Sequence, residues 1–324
     1  GSLGEPARRS ESLAVGSSPV VPIESMTAQR QWLDGGRWHF QHGPIDLIIA
    51  ADGDPSAVGA AHEAAWARFE PLLQTLVQEL TLLRAGIALE AGDSSDLRPR
   101  NRLQGSVARR MWEACAAVAN PSESGFITPM AAVAGAVAEE LIDCYQRPGI
   151  TRAWVNNGGD IALHLTPKTQ LQIGLVSDLA QAIRSSPARD LALDGQLEIR
   201  HDTPVRGIAT SGWRGRSHSL GIADSVTVLA RTAAQADAAA TMIANAVNIE
   251  DPRIERRPAR TLRDHADLGD RLVTVHVPTL TREQIALALQ RGCTLAREFA
   301  NRGLIHSALL ACQGQFQPDC QVLT

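Results

Sequence analysis

The sequence has little of what most directly announces a function. Its 324 residues include only five cysteines, Cys115, Cys144, Cys293, Cys312 and Cys320. The number is odd, the spacings are wide and no C-x-x-C occurs, which argues against a disulfide framework or a zinc site and favours a reducing, cytoplasmic setting. Neither sign of charge is in surplus: 31 basic and 35 acidic residues leave a formal charge of −4. Without a basic excess to neutralise phosphates, nucleic acid is not expected as a partner. No run approaches the roughly 20 apolar residues of a membrane-crossing helix, so no membrane partner is expected. G-x-G-x-x-G, G-x4-G-K-[ST] and G-x-S-x-G are also missing. Their absence removes the sequence support for a Rossmann turn, a P-loop or a nucleophile elbow.

The opening Gly1-Ser2 reads as an expression scar. Residues 1–25 are rich in Ser, Pro, Gly and Arg and lack the apolar stretch of a signal peptide. They read as a disordered leader, with Met26 a candidate start and residues 26–324 a single domain long enough to bury a substantial core.

Strand and helix patterns alternate without a regular βαβ repeat, which predicts an α+β fold. A hairpin is expected over 37–50, turning at His42-Gly43-Pro44. Three- and four-residue apolar steps through Trp66, Phe69, Leu72, Leu73 and Leu76 predict helix over 56–84, interrupted at Pro71, with His62 on its polar or boundary face. A helix is expected over 107–119, with Cys115 and, further on, Cys144 as small core residues. Strands over 152–156 and 160–165 flank a glycine turn, and 172–176 is expected to extend the same sheet. Residues 177–194 are irregular, and short strands follow at 196–200 and 207–210. The arginines between 253 and 271, mixed with Glu255, Asp264, Asp267 and Asp270, read as a solvated surface loop. A strand over 272–277, a helix over 282–301 begun by the Thr281–Gln284 capping box, and a strand over 305–311 complete the chain.

Four stretches carry candidate chemistry. The run from Gln235 to Asn245 begins a helix made almost entirely of alanine, after a strand over 225–230. Asp237 and Thr241 lie four residues apart on one face of it, and both are the hard oxygen donors that magnesium prefers. Asp237 can equally be an early-turn acid placed by the helix dipole. Thr128 and Pro129 start a second small-residue helix, with Met130 and Ala131 in its first turn. Its free N–H groups suit a phosphate or a carbonyl oxygen, and tight burial is the alternative. Asn156-Asn157-Gly158-Gly159-Asp160 is a hairpin turn that sets Asp160 at a strand start, where it can bond a ligand hydroxyl or amide. Thr210-Ser211-Gly212, at a strand end, suits an oxyanion and is also common in ordinary turns.

Taken together and in this order, the four stretches resemble the ApbE-like superfamily of FAD:protein FMN transferases. The Asn-x-Gly-Gly-Asp turn, the Thr-Ser-Gly, the Ala-Asp-x-x-x-Thr of Ala236, Asp237 and Thr241, and the small-residue helix start at 128–139 carry the resemblance across roughly residues 125–250. The wording around Pro129 to Gly135 and from His218 to Val228 is similar to an uncharacterised, UPF-type branch. The resemblance implies an α+β, T-fold-related architecture of mixed sheets packed with helices, with a ligand cleft between two intimate halves. It implies Mg2+ on Asp237 and Thr241, FAD as substrate or ligand, and cofactor contacts from Met130, Ala131, Asn156, Asn157, Gly158, Gly159, Thr210, Ser211 and Gly212. His218 and Asp160 are the catalytic candidates, His218 because an imidazole titrates nearest neutrality. The chain departs from the transferases at three places: their helix lysine aligns with Ala134, their closing aspartate with Glu139, and their His-x-x-Asp-Pro-x-Thr-Gly loop shortens to His218 alone. Three readings stay open: a Mg-dependent FMN transferase or FAD-cleaving enzyme, a flavin or small-ligand binding protein without turnover, and a small-metabolite enzyme on the same fold. A homodimer is compatible with each.

Overall fold

The computed structural model describes residues 27–87, 101–119, 126–175, 195–215, 217–263 and 266–317. The expected leader and the irregular stretch at 177–194 lie outside the described residues. Strands β1 (Gln29–Leu33), β2 (Arg37–His42) and β3 (Ile45–Gly53) open the chain as an antiparallel meander. The helical run that follows breaks before Pro71, which has no N–H to continue it, giving α1 (Pro55–Phe69), α2 (Leu72–Gln78) and the single turn α3 (Leu80–Leu83). Helix α4 (Ser106–Val118) is next, and a 3-10 turn, Pro129–Ala132, runs directly into α5 (Val133–Ile142). Strands β4 (Ile150–Asn157) and β5 (Asp160–Leu165) form a hairpin whose two turn residues, Gly158 and Gly159, have φ of 65° and 114°. Such backbone conformations favour glycine, and they suit a tight antiparallel turn.

The second half adds β6 (Gln170–Leu175), β7 (Gly195–Arg200), β8 (Gly207–Ser211), β9 (Ser225–Ala230), α6 (Ala233–Ala246), β10 (Glu255–Pro258) and β11 (Leu272–His276). Helix α7 (Arg282–Asn301), β12 (Ser307–Cys312) and β13 (Gln315–Gln317) end it, and the Thr281–Gln284 capping box at the start of α7 is formed. Nine of these strands make one sheet in the order β1-β2-β3-β4-β5-β8-β9-β12-β13, with each neighbouring pair antiparallel. The architecture is the α+β fold that the mixture of patterns predicts.

Strand alternation gives this sheet two different faces. Leu47, Ile49, Ala153, Val155, Ala162, Ala209, Val226 and Val228 point into the main core with the helices. Leu163, Leu165 and Ile208 point the other way and meet Leu171, Ile173, Leu197 and Ile199 of the β6–β7 hairpin. The hairpin therefore does not extend the main sheet, as the sequence had led us to expect. It pairs with itself, because its alternating apolar side chains bury more surface lying across the sheet, and the edge of β5 is already taken by β8.

Helix α6 is the centre of the molecule. Ala233, Ala234, Ala236, Ala238, Ala239, Ala240 and Ala244 are all buried, with β8, β9, α4, α5 and α7 packed around them. Alanine is what permits so many neighbours to approach one helix, since a larger side chain would hold each at greater distance.

Two expectations about single residues change. Cys293 is disulfide-bonded, while Cys115, Cys144 and Cys312 are free thiols. Pairing depends on approach in space, which wide sequence spacing does not forbid. His62 is not at a boundary but buried, 4% exposed, in an aromatic cluster with Trp38 and Tyr145. Its Nδ1 lies 2.8 Å from the Tyr145 hydroxyl, and its Nε2 is enclosed without a partner. Burial pulls its pKa down to about 4, against a small opposing pull from Glu63.

This depression fixes a sign. Between the ordinary imidazole range and about 4, the unfolded chain takes up a proton at His62 that the folded chain refuses. The stability His62 supports is present above that window and is lost as pH falls through it, by at most about 1.4 kcal/mol per pH unit. His62→Gln retains a partner for Tyr145 and should flatten this part of the acid limb, measured as urea midpoints between pH 7 and pH 4.5.

Candidate functional site: an acidic centre between two small-residue helices

Helices α5 and α6 touch at Gly135. A Cβ there would stand 2.3 Å from the Ala233 carbonyl oxygen and 2.9 Å from the Asp237 Cβ, so only glycine allows the approach. At this contact the two helices cap one another. The Asp237 Oδ2 accepts from the Gly135 N–H at 2.9 Å, and the Ala134 N–H donates to the same carboxylate. In return the Glu139 Oε2 accepts from the Ala234 N–H at 3.1 Å, beside the Thr232 Oγ1, which accepts from Gln235. Each helix thus supplies the acceptor that the other's first turn needs, where N–H groups have no intrahelical partner. Asp237 is past the first turn of its own helix, so its charge is matched to the start of α5.

The sheet contributes two more polar groups. Asn157 and Asp160 are opposite one another across the hairpin turn, both on the helix-facing side. The Asn157 Nδ2 donates to the Ala134 carbonyl at 3.1 Å, and the Asp160 Oδ1 accepts from the Thr210 N–H at 3.1 Å. Asp237 is 9% exposed and Asp160 8%. Burial first, and the neighbouring Asp160 second, push the Asp237 carboxyl well above the usual carboxylate range, while the N–H groups of Gly135 and Ala134 pull the other way.

The other candidates divide between this centre and its surroundings. Ser211 shares the inner side of β8 with Ala209, whereas alternation turns Thr210 outward with Ile208. The Thr210 hydroxyl is 2.9 Å from that of Thr227 on β9, so Thr210 reaches the acidic centre through its backbone N–H. Asn156 likewise faces away from Asn157, and its Oδ1 accepts from the Gly159 N–H at 2.8 Å, closing the turn. Gly212 is required by packing: a Cβ would stand 2.2 Å from the Asp224 carbonyl oxygen. Met130 and Ala131 are half-buried in the 3-10 turn, packed against the core. Thr241 is half-buried, one turn beyond Asp237 on the same helix face.

Thr128 takes the extended conformation of a cap, but its hydroxyl caps nothing. It donates to the Asp267 carboxylate, in the stretch expected to be a solvated loop. Its described residues make regular contacts: β10 pairs with β11, and between them backbone bonds run from Ala259 to Arg271 and from Arg260 to Gly269, each 3.0 Å. His218 belongs to this neighbourhood. Its Nε2 is enclosed without a hydrogen-bond partner; burial, then Arg263, lower its pKa, and Asp267 opposes them.

Sequence reasoning thus missed Gly135 and Asp267. The Gly135 contact had a faint signal in the small-residue run, while Asp267 was one acid among many in a charged stretch. Among the described residues no group of three or more His, Cys, Asp or Glu is arranged to hold a metal. Cavities of about 80 Å³, beside Arg68, Ser106 and Glu140, and about 210 Å³, between α7 and β13, lie elsewhere.

The fold and this centre define an α+β protein in which two small-residue helices and the mouth of one hairpin enclose a pair of carboxylates. The family model described as "AbpE bacteria" matches residues 30–318, and the chain belongs to that family. Relatives bear the name UPF0280 protein. The one from Methanosarcina acetivorans is 31% identical over 218 residues, 67% of this chain and 75% of the relative. The one from Methanoregula boonei is 32% identical over 183 residues, 54% of this chain and 72% of the relative. The one from Methanothrix thermoacetophila is 40% identical over 122 residues, 37% of this chain and 46% of the relative. The chain spans about half the length of several curated relatives it matches. Among solved structures, Flavin Transferase ApbE from Vibrio cholerae is 15% identical, with 91% of this chain and 96% of that chain covered and a TM-score of 0.35. The apo form of Pseudomonas stutzeri flavinyl transferase ApbE is 13% identical, with 90% and 92% covered and a TM-score of 0.38. Membership rests on the family model and the sequence relatives, not on these overlaps.

The mutual capping separates two roles of Asp237. Asp237→Ala leaves buried N–H groups without an acceptor and should cost about 1–3 kcal/mol. Asp237→Asn keeps an acceptor and removes the charge beside Asp160. Because the folded carboxyl is raised, the stability tied to its proton is complete below the usual carboxylate range and lost as pH rises through the folded value. In EDTA the Asn variant should therefore match or exceed the wild type at pH 8, with the gap closing toward pH 4, read from urea midpoints.

Proposed function

We propose that the chain binds FAD in the presence of Mg2+ and cleaves its pyrophosphate, with FMN passed to an acceptor hydroxyl or to water. The observation that carries this reading is the convergence of Asp160 and Asp237 where Gly135 lets α5 and α6 touch. Burial and the neighbouring Asp160 both act against a charged Asp237, and a divalent cation would offset that, so the residues fit the metal that the resemblance implies. Asp237, Asp160 and Thr241 would hold Mg2+, which when bound supplies charge neutralisation to the pyrophosphate. Asn157 and Ser211, on the same inner face of the sheet, would orient the ligand. In the step itself the acceptor oxygen attacks the phosphorus on the riboflavin side, the P–O–P bond breaks, and AMP leaves with the bridging oxygen. His218 is held neutral by burial and Arg263, so it is able to take the acceptor's proton.

A second reading, binding without turnover, draws on Ala134. The transferases that the sequence resembles carry a lysine there, and this chain has no charge at that position.

The test is incubation of the purified protein with FAD and Mg2+, with products resolved by chromatography. AMP and FMN should appear in the wild type, vanish in EDTA, and fall by at least about a hundredfold in Asp237→Asn, the variant that keeps the helix cap. A yellow, FAD-bound protein that releases neither product would establish the second reading, and failure to bind FAD at all would end both.

A further inference from the structure

The arginine-rich loop between β10 and β11 has one side-chain contact that a solvated surface segment has no reason to make. Thr128 is 1% exposed, and its hydroxyl reaches across 139 positions of sequence to donate to the Asp267 carboxylate. His218 lies within electrostatic reach of both Asp267 and Arg263. Arg263 is exposed and makes no salt bridge among the described residues. The His218 Nε2 is enclosed without a hydrogen-bond partner. The loop is docked by Arg271, whose guanidinium lies 3.2 Å from the Phe126 ring centroid, and by the buried Ala259. Strand β11 is bonded to the segment after His218, with the Thr274 N–H donating to the Ser219 carbonyl at 2.9 Å.

We propose that Thr128, His218 and Arg263 form a binding site for a phosphate or pyrophosphate group, and that the Asp267 carboxylate occupies it as an internal stand-in which the ligand displaces. A carboxylate satisfies the Thr128 hydroxyl, but a phosphate offers three oxygens to a hydroxyl, an imidazole N–H and a guanidinium at once. The ligand class is therefore a phosphate monoester or a pyrophosphate-bearing molecule. The inference rests on the preceding reading in letting these phosphates belong to the same ligand as the acidic centre; Thr128, Arg263 and Asp267 have no part in that reading, and His218 is shared with it. With the latch engaged, apparent affinity is reduced by the fraction of molecules in the closed form.

The experiment is calorimetric titration of the full chain with inorganic pyrophosphate in magnesium-free buffer, repeated with ADP and with FAD. Asp267→Ala should bind pyrophosphate about tenfold more tightly than the wild type, and Asp267→Asn, which keeps an acceptor for Thr128, should fall between them. Arg263→Ala, an exposed change, should weaken binding. Unchanged or weaker pyrophosphate binding in both Asp267 variants, or no binding in any form, overturns the proposal even if FAD binds through the acidic centre. Tighter pyrophosphate binding in the Asp267 variants, with no form binding FAD, upholds this site while the flavin reading fails. Gains confined to pyrophosphate point to a free phosphate ligand, and gains shared by ADP and FAD to a dinucleotide.

Discussion

The structure depends on two helices whose first turns are completed by each other. Asp237 of α6 accepts from Gly135 of α5, and Glu139 of α5 accepts from Ala234 of α6. A buried N–H without an acceptor costs more than an ordinary hydrogen bond gains, so neither helix start could sit in this core alone. The arrangement works only if the backbones nearly touch, which is why Gly135 faces the Ala233 carbonyl and why α6 is built from alanine. Strands β8 and β9 on one side and α4 and α7 on the other then pack around that helix. A local need for acceptors thereby becomes the rule that orders the whole core.

The same constraint concentrates negative charge. Once Asp237 is committed to the start of α5, the hairpin beside it brings Asp160 in from the sheet, at the residue opposite Asn157. The N–H groups of Gly135 and Ala134 oppose burial and Asp160, and the balance raises the Asp237 carboxyl. Charge held in excess inside a core is costly, and functional sites are where proteins keep such cost. On the loop between β10 and β11, Arg263 and Asp267 act in opposite senses on His218, and Asp267 accepts from Thr128.

Much of this was readable from the residues. The Gly158-Gly159 turn, the Pro71 break, the Thr281 cap and the alanine helix each have a local cause, and each was found where its pattern lay. The four candidate stretches do collect around one region. What could not be read was which way individual side chains face and what they meet across the fold. Asn156 and Asn157 are neighbours with the same side chain, but alternation sends one to the turn and the other to α5. Thr210 and Ser211 divide in the same way. The β6–β7 hairpin has the alternation of any half-buried strand pair, and nothing local says whether it will join a sheet edge or lie across a sheet face. Asp267 and His62 were misread or passed over for one reason: their partners, Thr128 and Tyr145, are distant in sequence, and composition carries no information about distant partners.

Position 134 shows how one residue can join three elements through its backbone alone. Both backbone groups of Ala134 are engaged, its N–H with Asp237 and its carbonyl with Asn157. Its side chain is engaged in neither bond. The residue therefore holds helix to helix and helix to hairpin whatever side chain it carries. By contrast Gly135 cannot gain even a methyl group, and Glu139 must remain an acceptor long enough to reach Ala234. Adjacent positions thus join the same two helices in opposite ways, Ala134 through its backbone groups and Gly135 through having no side chain.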